Sequence, residues 1–246
     1  MSDFELSGKI ALVTGSGRGI GKGCAIELAR AGADVVINDL PNSPDLEPTA
    51  AEIRALGRNC YVAAGDAFTP EGCRGIFDTA IAQAGRIDVL VSNPASTRRA
   101  LFLDLEANDW QRTIQGTLSA GFYISQLVAR HMVERGGGGS IIFISSVQAV
   151  MPIGLSVAYN AAKAGTDHLM RTVAMELAEH RINVNSIQPG WIDTPKERET
   201  WSEEAMDVEG GKLPWGRLGL PSDIGKAAVF LSSDAADYVT LSLIHI

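Results

Sequence analysis

The sequence lacks several features that would place it in a specialised class of protein. Acidic residues outnumber basic ones, 29 to 21, and the net charge of −8 argues against a nucleic-acid or anionic-membrane partner. No apolar run is long enough to cross a bilayer, and we expect no signal peptide because the N-terminus has no basic region followed by an apolar one. The three cysteines match no metal spacing, so we predict no metal site and free thiols in a reducing cytoplasm.

Short apolar runs alternate along the chain with helical patterns. We predict strands at 9–14, 34–39, 60–64, 87–93, 140–145 and 182–187, and helices at 23–32, 46–56, 70–84, 106–134 and 159–179. Continuous apolar strands that alternate with helices indicate a parallel sheet covered on both faces. The sequence therefore predicts a single α/β domain over 1–246. Residues 190–212 have few periodic apolar positions, which is typical of a lid.

A glycine-rich turn, TGSGRGIG (14–21), follows the first predicted strand and opens the first helix. Gly15, Gly19 and Gly21 let the backbone turn tightly and approach a diphosphate at a helix N-terminus. Asp39 stands at the end of the second predicted strand, where a carboxylate suits the ribose hydroxyls of a dinucleotide. Alone, the glycines are compatible with a purely structural turn and Asp39 with a turn residue. Together they predict a dinucleotide site.

The stretch SSVQAVMPIGLSVAYNAAK (145–163) holds two serines, a tyrosine and a lysine. Tyr159 and Lys163 are four residues apart, so they are neighbours on one face of a helix. An adjacent ammonium and a cationic oxidised nicotinamide favour the phenolate, which predicts a lowered pKa for Tyr159 and a usable acid or base. A serine hydroxyl can polarise the reacting oxygen. The same spacing is common in surface pairs, and the dinucleotide motif favours the catalytic interpretation.

These motifs together resemble the short-chain dehydrogenase/reductase family of the compact classical type. TGSGRGIG is similar to the family's T-G-x-x-x-G-x-G, SNPA stands where the family has N-N-A-G, and ISSV followed by YNAAK matches its Ser and Y-x-x-x-K. NSIQPGWIDTP is similar to N-x-I-x-P-G-x-x-x-T, and the resemblance runs from about residue 8 to 240. It implies a doubly wound Rossmann fold. It also implies hydride transfer between a nicotinamide and a secondary alcohol or ketone, a sugar such as glucose or a 3-oxoacyl substrate.

The resemblance also implies roles for individual residues. Ser146, thirteen residues before the tyrosine, would be the catalytic serine, Tyr159 the acid/base, and Lys163 the residue that tunes it and binds the nicotinamide ribose. The other implied cofactor residues are Gly15, Arg18, Gly19, Ile20 and Gly21 at the diphosphate, Asp39 at the ribose, Asp66 with Ala67 at the adenine, Asn93 at the cofactor floor, and Pro189, Gly190, Ile192 and Thr194 at the nicotinamide. Asp39 favours NAD over NADP because a carboxylate repels a 2′-phosphate, whereas Arg18 would attract one.

Thr117 departs from the family pattern, because the family usually has an asparagine there that holds a water in a proton relay. We place Thr117 in the catalytic set as its replacement. The departure leaves open an alternative function, a catalytically weakened dinucleotide-binding sensor or scaffold.

The segment after Thr240, LSLIHI, also departs from the family, which continues with a glycine, a strand and a V-D-G-G tail. The hexapeptide is one reading frame of a common transposase sequencing adapter. We therefore expect residues 241–246 to be non-native and the native C-terminal strand and tail to be missing. The alternative is a natural short β-strand, since the segment is apolar enough to pair.

The predicted helices 106–134 and 159–179 carry more small and apolar residues than one sheet face needs. In the resembling family, these two helices pack against the same pair in another subunit. We therefore expect a homodimer or homotetramer. The expected partner is a small-molecule alcohol or ketone.

Overall fold

The computed structural model describes residues 3–246. The strands are β1 (Ile10–Val13), β2 (Asp34–Ile37), β3 (Cys60–Val62), β4 (Val89–Ser92), β5 (Gly139–Ile144), β6 (Ile182–Gln188) and β7 (Leu243–His245). The α-helices are α1 (Gly19–Arg30), α2 (Leu46–Ala55), α3 (Pro70–Ala84), α4 (Ala107–Ile114), α5 (Ala120–Arg135), α6 (Val157–Leu177), α7 (Pro195–Arg198), α8 (Glu203–Gly211) and α9 (Pro221–Ser232). A π-helical segment, Gln115–Ser119, joins α4 to α5.

The strands form one parallel sheet in the order β3-β2-β1-β4-β5-β6-β7. The order reverses between β1 and β4, because the chain moves outward in one direction from β1 to β3 and in the other from β4 to β7. The carboxyl ends of parallel strands all lie on one side of the sheet, and in this fold a ligand crevice forms at those ends, beside the point where the strand order reverses. The doubly wound α/β fold predicted from the sequence is confirmed.

Apolar side chains fill the space between the sheet and a layer of helices on each face. Leu28 of α1, Ile53 of α2 and Leu231 of α9 are fully buried on one face. Ile76 of α3, Ile124 of α5 and Met170 of α6 are fully buried on the other. Each such side chain contributes about 1.5–3 kcal/mol of transfer free energy. The strands read as continuous apolar runs because both faces of the sheet are covered.

All six strands predicted from the sequence are present. The predicted helix 70–84 has the predicted ends, because the Thr69 hydroxyl accepts a hydrogen bond from the Gly72 N–H at 3.0 Å and Gly85 adopts a left-handed φ of 80°. The predicted helix 106–134 is interrupted by the π-helical segment. The segment 190–212 contains the short helices α7 and α8, which its weak apolar periodicity did not predict.

β7, within the hexapeptide after Thr240, is one of the two edge strands of the sheet. β7 pairs in parallel with β6, and the Ile246 carbonyl accepts a hydrogen bond from the Gly190 N–H at 2.6 Å. Backbone pairing does not depend on side-chain identity, so the expectation that residues 241–246 are non-native stays a prediction. Within residues 3–246, the helices are too short or too polar for a membrane crossing.

Candidate active site

The glycine-rich turn forms a close-packed cradle between β1 and α1. Gly15 and Gly19 have left-handed φ values of 58° and 59°, which side-chain-bearing residues rarely adopt. A Cβ atom at Gly21 would overlap the carbonyl oxygen of Gly15. The Asn93 amide, at the end of β4, donates to the carbonyls of Thr14 at 3.3 Å and Gly15 at 3.1 Å, so it fixes the floor of the cradle. No side chain caps the N-terminus of α1, which suits a bound diphosphate.

Asp39 lies two residues beyond β2 and is half-buried. One of its carboxylate oxygens accepts a hydrogen bond from the Leu40 N–H at 2.8 Å. A Cβ atom at Gly17 would overlap the other oxygen, so the carboxylate packs directly against the glycine-rich turn. Arg18 does not pair with Asp39: its Nη1 lies 3.2 Å from Glu199 Oε1, just after α7.

The adenine end of the predicted site lies in the loop after β3. The Gly65 N–H donates to the Asp39 carbonyl at 3.0 Å, which brings this loop beside the end of β2. Asp66 accepts a hydrogen bond from the Phe68 N–H at 2.9 Å, and Ala67 is buried against the loop. The predicted adenine residues are therefore adjacent to the predicted ribose carboxylate.

The nicotinamide end of the predicted site is the segment after β6. The Val147 N–H donates to the Pro189 carbonyl at 3.1 Å, so this segment is joined to the turn after β5. Ile192 is buried and forms an isolated bridge with Gly219, and Thr194 caps α7 by accepting from the Glu197 N–H at 3.4 Å. A Cβ atom at Gly19 would contact Thr194, so the nicotinamide end of the predicted cofactor site lies next to the glycine-rich turn of the diphosphate. Ile20, partly buried, packs on the core beside them.

Ser146, Tyr159 and Lys163 are brought together at the carboxyl end of β5. Ser146 follows the strand, and its hydroxyl accepts from the Gln148 N–H at 3.1 Å. Tyr159 lies in the first turn of α6, and Lys163 follows one turn later. The Lys163 ammonium is buried, donates to the Ile144 carbonyl at 2.6 Å and lies 5.5 Å from the centre of the Tyr159 ring. The Ser146 hydroxyl, the Tyr159 phenol and the Lys163 ammonium therefore lie close together.

The pKa of Tyr159 is raised in the structure, whereas the sequence predicted that it would be lowered. Burial raises the pKa of Tyr159 to about 12, while a side-chain hydrogen bond with Ser146 lowers it and the Glu197 carboxylate raises it further. Burial likewise lowers the pKa of Lys163 to about 8, and the Asp167 carboxylate opposes that change. The expected lowering of the Tyr159 pKa by Lys163 is not seen in the protein alone, because the ammonium faces the ring and the Ile144 carbonyl. The cationic nicotinamide in that expectation belongs to the cofactor-bound state.

Thr117 lies in the π-helical segment and is buried. Its hydroxyl accepts from the Ser96 N–H at 3.1 Å and donates to the Ser96 carbonyl at 3.0 Å. The single hydroxyl proton of Thr117 is therefore engaged in holding the loop after β4. Its catalytic role in a relay stays a prediction, and π-helical segments are frequent at functional sites.

Several residues at this site were not identified from their sequence pattern. The side-chain carbonyl oxygens of Gln148 and Asn160 are buried and have no protein hydrogen-bond partner, and each belongs to a residue within two positions of Ser146 or Tyr159. No sequence signal marks Asn160 or Asp167. Within residues 3–246, no group of three or more His, Cys, Asp or Glu side chains is arranged to hold a metal ion.

The parallel sheet, the glycine cradle at its reversal point and the carboxylate after β2 define a dinucleotide-binding α/β protein. A family profile described as enoyl-(acyl carrier protein) reductase matches residues 15–246. The 2-dehydro-3-deoxy-D-gluconate 5-dehydrogenase of Escherichia coli K12 is 38% identical over 242 residues, which are 97% of this chain and 94% of that protein.

Solved structures agree with this assignment. A 7α-hydroxysteroid dehydrogenase in complex with NADH and 7-oxoglycochenodeoxycholic acid superposes with a TM-score of 0.93 at 35% identity, over 99% of this chain and 94% of that one. A putative 2-deoxy-D-gluconate 3-dehydrogenase from Agrobacterium tumefaciens with bound NADP has a TM-score of 0.88 at 32% identity, over 100% and 97% of the two chains. The chain belongs to the short-chain dehydrogenase/reductase family, as its motifs predicted, and is an NAD(P)-dependent oxidoreductase.

Proposed function

We propose that this chain transfers a hydride reversibly between a nicotinamide dinucleotide and a secondary alcohol or ketone. The supporting observation is that Ser146, Tyr159 and Lys163 come together next to the segment after β6, which is the nicotinamide end of the predicted cofactor site. The cradle fits a diphosphate, because Gly15 and Gly19 adopt left-handed φ values and Gly21 has no room for a Cβ atom, so the backbone can approach the ligand closely. When bound, the nicotinamide supplies the hydride acceptor or donor.

The three side chains have separate roles in this proposal. The Ser146 hydroxyl holds and polarises the substrate oxygen. Tyr159 moves a proton to or from that oxygen, and its raised pKa keeps it protonated at neutral pH in the protein alone, which is the state required for ketone reduction. Lys163 holds the nicotinamide ribose in this proposal, and in the cofactor-bound state its charge and that of the oxidised nicotinamide would together stabilise the phenolate formed when that proton is transferred.

The polar atoms around the site favour a substrate with several hydroxyl groups. An unpaired buried acceptor costs about 1–3 kcal/mol, and two such acceptors are the side-chain carbonyl oxygens of Gln148 and Asn160, which follow Ser146 and Tyr159 closely along the chain. Substrate hydroxyls would satisfy both. The similarity to an enzyme named for a sugar acid, 2-dehydro-3-deoxy-D-gluconate, points to the same class.

A second substrate class is supported by exposed apolar side chains on the segments that follow β4 and β5. Phe102 and Leu103, in the loop after β4, are 75% and 91% exposed, and Met151, after β5, is also exposed. Exposed clusters of this kind are typical of binding surfaces. They favour a ketone with an apolar body, such as the 3-oxoacyl substrate that the sequence left open.

We propose NAD as the preferred cofactor. The Asp39 carboxylate packs against the glycine-rich turn, where it would repel a 2′-phosphate. Arg18, the residue that would attract such a phosphate, is paired with Glu199. The structural relatives include both an NADH complex and an NADP complex, so the choice depends on these residues of the chain itself.

A homodimer or homotetramer is proposed from the outer surface of α5 and α6. A groove of about 310 Å³ lies between the two helices and is lined by Phe122, Ala129, Val133, Val173 and Leu177, among others. The exposed Phe122 and Met175 extend the apolar surface. A second copy of the same helix pair would cover it. Light scattering of the native protein and of a Phe122→Glu variant tests this: the native protein should be an oligomer and the variant should dissociate, and a monomeric native protein would contradict the proposal.

The reaction is tested by following nicotinamide absorbance with a panel of sugars, sugar acids and 3-oxoacyl compounds. A Tyr159→Phe variant should bind NADH with unchanged affinity while kcat falls by about 10²-fold or more. Tyr61→Phe, on β3 and away from the site, is the matched control and should retain native turnover. Native protein that binds NADH but turns over no member of the panel would favour the sensor or scaffold alternative.

A further inference from the structure

A buried carboxylate lies one helical turn beyond the active-site lysine. Asp167 is only 3% exposed. One carboxylate oxygen accepts a hydrogen bond from the Ser186 hydroxyl at 2.7 Å, and the other accepts one from the Gln188 side-chain amide. Both donors belong to β6, and Gln188 is the last residue before Pro189 and Gly190. Asp167 therefore joins the catalytic helix to the strand that leads into the nicotinamide segment.

Neutral donors do not balance the charge of a buried carboxylate, which is costly unless a cation is near. Lys163 stands four residues before Asp167 on α6, so the two side chains lie on one face of the helix, and both are buried. The Asp167 carboxylate accordingly raises the pKa of the Lys163 ammonium, against the effect of burial. β5, β6, the π-helical segment and the turn Val147–Ala149, all next to this part of α6, contain no ionisable side chain. Asp167 is therefore the counter-charge of Lys163.

The other ionisable groups on or near α6 do not shift the pKa of Lys163. On α6 itself they are Tyr159, His168, Arg171 and Glu176, and Glu179 and His180 follow at its C-terminal end. Glu197, in α7, acts on Tyr159. The ionisable side chains of α4 and α5 are Asp109, Arg112, Tyr123, Arg130, His131, Glu134 and Arg135. Asp109 pairs with Arg98. The C-terminal end of α5 lies at the amino end of β4, where Arg135 pairs with Asp88. None of these groups contributes resolvably to the ionisation of Lys163, whose shift is accounted for by burial and Asp167.

We propose that Asp167 is a positioning residue for the reaction: its carboxylate keeps Lys163 in the ammonium form and holds Gln188, and with it the start of the nicotinamide segment, against the catalytic helix. The inference rests on the proposed role of Lys163. It assigns a function to a residue that touches neither the predicted cofactor site nor the reacting hydroxyls.

The structure allows the charge of Asp167 to be removed while its hydrogen bonds to Ser186 and Gln188 are kept. The Gln188 carbonyl oxygen is buried and has no partner. In an Asp167→Asn variant, rotation of the Gln188 amide would let this oxygen accept from the new amide, while Ser186 keeps an acceptor. Ser186→Ala is the matched control, because it removes one hydrogen bond of the cluster and leaves the charge.

The test is the pH dependence, from pH 6 to 10, of kcat and of the NADH dissociation constant. Without Asp167 the ammonium of Lys163 is lost at lower pH, so in Asp167→Asn both profiles should move to lower pH by about one unit. At pH 9 this should appear as a roughly tenfold loss of turnover, with little change at pH 6.5. Ser186→Ala should retain the native profile. A loss in Asp167→Asn that is equal at every pH, or a profile shift in Ser186→Ala as well, overturns the proposal.

A stability measurement covers the case in which Asp167→Asn folds poorly. In Lys163→Met the buried carboxylate of Asp167 has no counter-charge, so this variant should be less stable than the native protein at pH 7. The double variant Lys163→Met/Asp167→Asn, which lacks that charge, should recover stability. A double variant that is no more stable than Lys163→Met overturns the proposal. Absence of turnover by the native protein would contradict the proposed function alone, because the NADH-binding and unfolding measurements still report on Asp167.

Discussion

Arg18 Nη1 lies 3.2 Å from Glu199 Oε1 and joins the glycine-rich turn to the segment that follows α7. The two side chains are 53% and 60% exposed, so the ion pair contributes only about 0–1 kcal/mol. Its position matters more than its strength. It holds the one arginine of the turn away from Asp39 and across the mouth of the predicted cofactor site.

Replacing Glu199 with Gln should therefore improve the use of NADP. Release of Arg18 from the ion pair leaves the guanidinium available for a 2′-phosphate, and 1 kcal/mol corresponds to about a fivefold rise in kcat/KM with NADP. Steady-state kinetics with both cofactors measure the change. Glu204→Gln, an equal loss of charge on α8, should leave the NADP efficiency unchanged. An equal gain in both variants would show that net charge, and not Arg18, is responsible.

Asp39 is expected to set a preference for NAD of about tenfold or more in kcat/KM, which corresponds to about 1.4 kcal/mol. Asp39→Ala should narrow this preference, because the repulsion of the 2′-phosphate is lost and Arg18 remains. The ratio of the two catalytic efficiencies is the quantity to measure. Native protein that uses both cofactors equally would show that Asp39 does not dominate the choice.

Gly21→Ala should weaken NADH binding by about tenfold or more. The new methyl group would overlap the Gly15 carbonyl oxygen and push the turn away from its cradle geometry, and a tenfold change requires only about 1.4 kcal/mol. NADH fluorescence titration measures the affinity. Gly75→Ala, where a Cβ atom meets open space on α3, is the control. It should bind NADH normally and gain about 1 kcal/mol of stability from helix propensity.

Thr117→Val should destabilise the protein by about 1–3 kcal/mol, since two hydrogen bonds to the Ser96 backbone are lost without a change of shape. Thr117→Ser keeps the hydroxyl and should lose far less. Chemical denaturation gives both values. If the Val variant is as stable as the native protein yet loses turnover that the Ser variant retains, the hydroxyl acts in the reaction and not in holding the loop.

The three cysteines should be unreactive in the folded protein at pH 8. All three are buried, and burial raises the pKa of Cys24 and Cys73 to about 12 and that of Cys60 to about 11, from 9.0. A raised pKa keeps each group in the thiol form, and two units reduce the reactive thiolate about 100-fold. A thiol reagent should label three groups per chain only after unfolding. Rapid labelling of the native protein would show that a cysteine is accessible.

Local features allowed much of the fold to be predicted. Thr69 and Gly85 mark the ends of α3 by their own side-chain and backbone chemistry, and the predicted helix 70–84 has the same ends. Each strand is a short apolar run because both sheet faces are covered, and the motif TGSGRGIG lies wholly within one turn. Information of this kind is contained in a few consecutive residues.

Contacts between distant residues were not predictable in the same way. Arg18 meets Glu199 across 181 positions, and Asp167 meets Ser186 only because α6 packs on β6. The ionisation of Tyr159 also depends on burial, which the Y-x-x-x-K spacing does not report. The π-helical segment has no recognised sequence signal, since its residues continue a helical pattern.

The hydrogen bond from Lys163 to the Ile144 carbonyl has a thermodynamic consequence for ligand binding. A free lysine side chain loses about 1.5–2 kcal/mol of rotamer entropy when it is fixed. The Lys163 side chain is already fixed when the protein folds, so a ribose that binds beside it does not have to order a mobile side chain. The entropy loss on association should accordingly be smaller than for a flexible lysine, which preorganises the site for its cofactor.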